Sequence, residues 1–125
     1  MKTLKIKQLD EKDEEIADAL ISLGMSRNAA MTLAYMQNTN SATSMELERS
    51  ARLHQPEVSI AMKQLKERDW VNEREEKKLG KGRPYKVYSL KVRFNDIIAQ
   101  LEKRQRKAVD EAQARIERLK ELGKD

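Results

Sequence analysis

Between Val92 and Leu122 the chain runs for roughly 30 residues without a glycine or a proline, a stretch that suits a helix and little else. Phe94, Ile98, Leu101, Ala108, Ala112, Leu119 and Leu122 follow steps of three and four or their sum. Gln105 and Arg115 interrupt the series, and Val109 and Ile116 lie beside it. A helix of that length is about 45 Å long. An 80-residue domain (roughly, at ordinary domain size) is too small to bury its whole stripe. A partner helix from a second copy is the simplest cover, with Phe94, Ile98, Leu101, Ala108, Ala112, Ile116 and Leu119 as the dimerisation residues.

The preceding part of the chain changes period partway along. A helix is expected from about Glu11 to Leu23, with Glu11, Asp13, Glu14 and Glu15 at the end where the dipole favours negative charge. Ile16, Leu20, Ile21 and Leu23 recur at helical spacing, and Gly24 suits a left-handed cap. Ser26 caps a second helix to about Asn38, with Ala29, Ala30, Leu33, Ala34 and Met36 as its apolar set. Thr39, Asn40 and Ser41 form a polar break. Ser44 is read as the cap of a third helix that buries Met45, Leu47 and Ala51. After a tight turn at Leu53, a fourth helix with Pro56 in its first turn carries Val58, Ala61, Met62 and Leu65 inward and ends near Asp69. From Trp70 the period is about 2: strands near 70–75 and 85–90 flank the loop Gly80, Lys81, Gly82, Arg83, Pro84. Residues 1–8 alternate weakly through Leu4 and Ile6 and suit a short strand or an arm.

The expected architecture is mainly α with a small β-hairpin. A winged helix-turn-helix domain would span residues 1–91, with the wing about 71–90, and an amphipathic dimerisation helix would span 92–125. Residues 44–69 are the informative part, two short helices across a turn. Leu47, Ala51, Leu53, Val58 and Ala61 or Met62 have to interlock there, so that the second helix stands away from the body. Its outer face then offers Gln55, Glu57, Ser59, Ile60, Lys63 and Gln64, which include side chains able to address base edges in a major groove. The hairpin adds Lys77, Lys78, Lys81, Arg83 and Lys86 with no acid between them, suited to phosphates or a minor groove.

Charge points the same way. Of the net +5, residues 1–51 carry 6 basic and 8 acidic side chains, residues 52–93 carry 12 and 6, and residues 94–125 carry 8 and 7. The positive field therefore sits on the turn, the fourth helix and the hairpin. No cysteine is present, which excludes disulfides, thiolate chemistry and cysteine-ligated zinc. The one histidine, His54, has no visible catalytic or metal partners. Glu73, Glu75 and Glu76 sit among Arg74, Lys77 and Lys78 and read as a solvated face. No phosphate-binding glycine loop or nucleophile elbow occurs. No cofactor and no enzyme activity are expected. With no apolar run of membrane-spanning length, a cytoplasmic protein is expected. Trp70, Tyr88 and Phe94 are read as core, and Met25, Met31, Met36, Met45 and Met62 as fillers between helices, an inducer pocket among them being left open.

Residues 20–90 resemble the winged helix-turn-helix domain of the archaeal TrmB-type regulators, with MarR- and ArsR-type regulators as near relatives. The likeness is carried by LISLGMSRNAAMTLAYM at the entry, by LHQPEVSIAMKQLKERDWV through the turn and fourth helix, and by GKGRPYKVYSL in the hairpin. It implies a DNA-binding regulator, a repressor in expectation, that acts as a homodimer on an inverted repeat. Glu48 and Arg52 stand where such segments often carry alanine and glycine, so a looser turn is expected; Asp69 and Trp70 replace the usual Gly-Leu. Longer TrmB-type proteins carry a sugar-binding domain that this sequence lacks, so no sugar effector is carried over. ArsR-type metal sensing has no cysteine to use. Two other readings stand beside this one: a protein–protein assembly module, which Glu57 on the reading face favours, and a non-specific nucleic-acid-binding architectural protein.

Overall fold

The computed structural model describes residues 9–77 and 84–124. The expectations for the arm at residues 1–8, for the glycine loop and for Lys78, Lys81 and Arg83 fall outside them. The chain divides into two units, Met1–Arg93 and Phe94–Asp125.

In the first unit α1 (Glu11–Ser22), α2 (Arg27–Met36), β1 (Ala42–Thr43), α3 (Ser44–Ser50), α4 (Gln55–Glu67), β2 (Val71–Glu76) and β3 (Tyr85–Leu90) follow in chain order. The second unit is α5 (Phe94–Leu122). The three strands form an antiparallel sheet in the order β1-β3-β2, with Val71 opposite Leu90, Glu76 opposite Tyr85 and Ala42 opposite Tyr88. This is a winged-helix fold: three helices and the helix that follows the turn, closed by a short sheet whose β2–β3 hairpin is the wing.

The core is centred on α2, in which every residue from Ala29 to Met36 is buried. Leu20 of α1, Leu47 of α3, Val58, Met62 and Leu65 of α4, and Trp70, Val87 and Tyr88 of the sheet are buried with it. Burial on that scale is the main stabilising term for a unit of this size.

Local chemistry sets the helix ends. Asp10 and Asp13 form a reciprocal cap at the start of α1: the Asp13 N–H donates to Asp10 Oδ1 (2.8 Å), and the Asp10 N–H donates to Asp13 Oδ2 (3.2 Å). α1 and α4 end alike, each with paired backbone bonds that fold the chain back on the last turn. Met25 N–H reaches Leu20 O and Gly24 N–H reaches Ile21 O; Trp70 N–H reaches Leu65 O and Asp69 N–H reaches Lys66 O. Gly24 sits at φ +100, where its lack of a Cβ is needed. Asp69 holds the equivalent place after α4 at φ 62, a left-handed angle that glycine adopts freely, at a conformational cost to Asp69.

Three local expectations are corrected. The buried stripe of α1 is Asp13, Ala17 and Leu20, whereas Ile21 and Leu23 are exposed. The cap of α3 is Thr43, whose side chain accepts from the Glu46 N–H; Ser44 is already helical. Met45 is 60% exposed, because Leu47 and Ser50 face inward and a residue two places before Leu47 lies on the far side of a 3.6-residue turn. Strand β1 has no counterpart in the sequence pattern, since two residues carry no period of their own.

Candidate nucleic-acid interface

The site begins at the turn between α3 and α4. Leu47, Ala51, Leu53, Val58, Ala61 and Met62 are all at most 3% exposed, so the two helices interlock through the small Ala51. Arg52 takes φ 57, the left-handed conformation that glycine would adopt freely. The turn is therefore as tight as in a glycine-containing one, contrary to the expectation of a looser turn. Arg52 Nη1 also lies 3.2 Å from Glu14 Oε1, a solvent-exposed ion pair worth little.

α4 starts with a cap made backwards from its third residue. Glu57 Oε1 accepts from the His54 N–H at 2.8 Å, satisfying a donor that the helix start would otherwise leave to solvent. Glu57 is half-buried in that role. Gln55, Ser59, Ile60, Lys63 and Gln64 are exposed, as sequence spacing from the buried Val58, Ala61, Met62 and Leu65 requires. Gln64 is tied down: its Oε1 accepts a 2.6 Å bond from Ser26 Oγ, the same hydroxyl that caps α2. Thirty-eight residues separate the two, so no local pattern announces the bond. The Glu57 cap was legible, since a carboxylate three places after a cap position is a recognised helix start.

On the wing, Lys77 and Lys86 are exposed. Lys66 Nζ donates to Glu73 Oε1 (2.9 Å), and Lys86 Nζ is 3.7 Å from Glu73 Oε2. The hydrogen bond from Lys66, joined by the charges of Lys66 and Lys86, holds the Glu73 carboxyl below its ordinary range. Arg74 pairs with Glu76 at 2.9 Å, and Glu76 accepts from the Tyr85 hydroxyl at 3.2 Å, which pushes that phenol upward. Glu73 and Glu76 of β2 are thus each matched by a local cation. Inside the unit, burial raises the Tyr35 hydroxyl, the Ser50 hydroxyl opposing and the Glu46 carboxylate adding to the rise.

α5 considered alone is about 44 Å long. Ile97 and Leu101 are buried and Phe94 is half-buried. Ala108 and Ala112 are exposed, as are the larger Ile98, Val109, Ile116, Leu119 and Leu122. The uncovered seam runs Ile98, Gln105, Val109, Ala112, Ile116, Leu119 at alternating steps of three and four or their sum. Val109 and Ile116, which the sequence pattern sets beside the stripe, stand on it. Acids and bases line the rest of the helix, with Arg106 bonded to Glu102 (3.1 Å) and Lys120 to Glu117 (3.5 Å).

Among the described residues no helix is long and apolar enough to cross a membrane. Nor do three or more His, Asp or Glu side chains come together as a metal ion would need.

The fold and the exposed face of α4 place this chain among winged-helix proteins. No family model matches it, and no curated protein matches its sequence. Among solved structures it is similar to a possible transcriptional regulator from Methanosarcina mazei Go1, with a TM-score of 0.62 and 17% identity, over 96% of this chain and 100% of that one. At that identity the likeness speaks for the fold.

Proposed function

We propose that this protein is a sequence-specific regulator of transcription that binds double-stranded DNA as a homodimer, represses, and catalyses nothing. The observation that carries the reading is the presentation of α4. One face is locked into the core by Val58, Ala61, Met62 and Leu65, while the opposite face holds Ser59, Ile60 and Lys63 free of the body. A helix held in this way after a tight turn fits the major groove, and the basic wing suits the flanking backbone. The name of the Methanosarcina neighbour agrees with a regulatory role. The motifs of residues 20–90 favour the TrmB-type family and an archaeal, cytoplasmic setting.

Dimerisation through α5 is supported by its uncovered seam. Val109 and Ile116 at one set of positions with Ala112 and Leu119 at the other is a pattern that two-stranded pairing accommodates. The assembly-module alternative drew its support from Glu57 on the reading face, and that carboxylate serves the cap of α4.

The test is selection of the purified protein on a random double-stranded DNA pool at about 150 mM salt, where non-specific phosphate binding is weak. Enrichment of an inverted repeat with half-sites about 34–36 Å apart supports the reading. Binding that selects no sequence and vanishes as salt rises overturns it in favour of an architectural role.

A further inference from the structure

The outer face of α4 is poor in hydrogen-bond acceptors, and that restricts what it can read. Pro56, Ile60, Lys63 and Glu67 follow steps of four, three and four on the side opposite the core, and all four are exposed. Ile60, at the middle, is 52% exposed although it is β-branched and apolar. Glu57, the acid nearest it, has one oxygen on the His54 N–H. Gln64 has its carbonyl oxygen on Ser26 Oγ, which compromises the donor-plus-acceptor pairing a glutamine makes with adenine. The other acid, Glu67, is about 10 Å farther along the axis, in the last turn. What remains around Ile60 is an apolar surface beside a donor, the Lys63 ammonium, with the Ser59 hydroxyl, able to donate or accept, on its flank.

From this face we infer that Ile60 reads the C5-methyl of a thymine in each half-site, with Lys63 donating to the acceptor edge of a neighbouring base. The inference rests on α4 being the element that enters the major groove. Thymine alone among the four bases offers a methyl there, and guanine offers two acceptors without a donor. Ile60 and Lys63 are about 4.5 Å apart along the helix axis, comparable with one base step of about 3.4 Å. Covering one methyl is worth about 0.8 kcal/mol, or about fourfold in affinity, and about fifteenfold when both half-sites contribute.

The experiment takes the sequence enriched by the selection above and replaces each thymine in turn, in both half-sites, by deoxyuridine, which lacks only the methyl. Affinity is read by fluorescence anisotropy at fixed salt. One symmetric pair of thymines should lose about fifteenfold on replacement with the unaltered protein. Ile60→Ala, a surface substitution whose folding is checked by its melting curve, should bind thymine and deoxyuridine alike at that pair. Lys63→Ala should bind more weakly yet keep the discrimination. An enriched operator in which no thymine responds, or an Ile60→Ala protein that still discriminates, overturns the assignment while leaving specific DNA binding intact. A pool that enriches nothing removes the functional reading itself, and this inference with it.

Discussion

Asp13 offers the sharpest test of how the first unit is held together. It is 2% exposed at the start of the buried stripe of α1, where an apolar residue would be the ordinary choice. Its Oδ1 accepts from Asn38 Nδ2 at 2.7 Å and from Gln37 Nε2 at 3.4 Å, just beyond the end of α2, and its Oδ2 accepts from the Asp10 N–H. Asp13→Ala removes all of these. The 2.7 Å bond to a carboxylate should be worth about 2 kcal/mol and the cap about 1 kcal/mol, the 3.4 Å interaction adding little. A loss of about 3 kcal/mol follows, or roughly 12–20 °C in melting temperature for a unit of this size. Denaturant unfolding should show the midpoint falling with the slope unchanged. Asp10→Ala, which deletes the cap acceptor and leaves Asp13 on Asn38, should cost only about 1 kcal/mol. In a double-mutant cycle Asp13 and Asn38 should couple by at least about 1 kcal/mol. If Asp13→Ala costs no more than Asp10→Ala, the clamp between α1 and the end of α2 contributes nothing and the reasoning fails.

Leu47→Ala should destabilise by about 3 kcal/mol through the cavity it leaves between α3 and α4, measured by urea unfolding. Val109→Glu with Ile116→Glu should convert the proposed dimer to a monomer in analytical ultracentrifugation while leaving the helical circular-dichroism signal largely intact; a persisting dimer would place the interface elsewhere. Lys81→Ala with Arg83→Ala should weaken binding to all DNA sequences alike and flatten the salt dependence by roughly one unit of slope for each phosphate no longer neutralised, whereas Lys63→Ala with Gln64→Ala should relax sequence preference. The Glu73 carboxyl is held below its ordinary 4.5 in the folded protein, so its contribution is complete above that pH and disappears as the pH falls toward the folded value. Glu73→Gln should therefore reduce the loss of stability in the acid range below about pH 4.5, a difference read by thermal melts across pH; a Gln variant that tracks the parent at every pH would dismiss the Lys66 bond as a contributor.

Most of the framework follows from signals that act within one or two turns of chain. The switch from a 3.6 to a 2 period at Trp70, the run without helix breakers after Val92, Ser26 as a cap and Gly24 as a left-handed stop each depend on neighbours a few residues away. The interlocked set Leu47, Ala51, Leu53, Val58 and Met62 was legible for the same reason. So were the exposed positions of α4, since four buried residues at helical spacing fix which side chains must face outward.

Only tertiary structure decided the rest. Asp13 looks like one more acid at a helix start until Gln37 and Asn38 arrive from 24 and 25 residues away and make a buried position tolerable for it. β1 exists because Val87 and Tyr88 of β3 supply partners to two residues that have no strand pattern of their own. Arg52 and Asp69 keep glycine-like backbone angles because the burial of Leu53 and Trp70 just beyond them fixes where the chain must go, and that burial outweighs about 1–2 kcal/mol of local strain. The engagement of Gln64 on α4 was likewise decided at long range, by its hydrogen bond from Ser26 across 38 residues. Local pattern fixes which way a side chain points, whereas its partners, and therefore its available chemistry, depend on which distant segment folding brings to it.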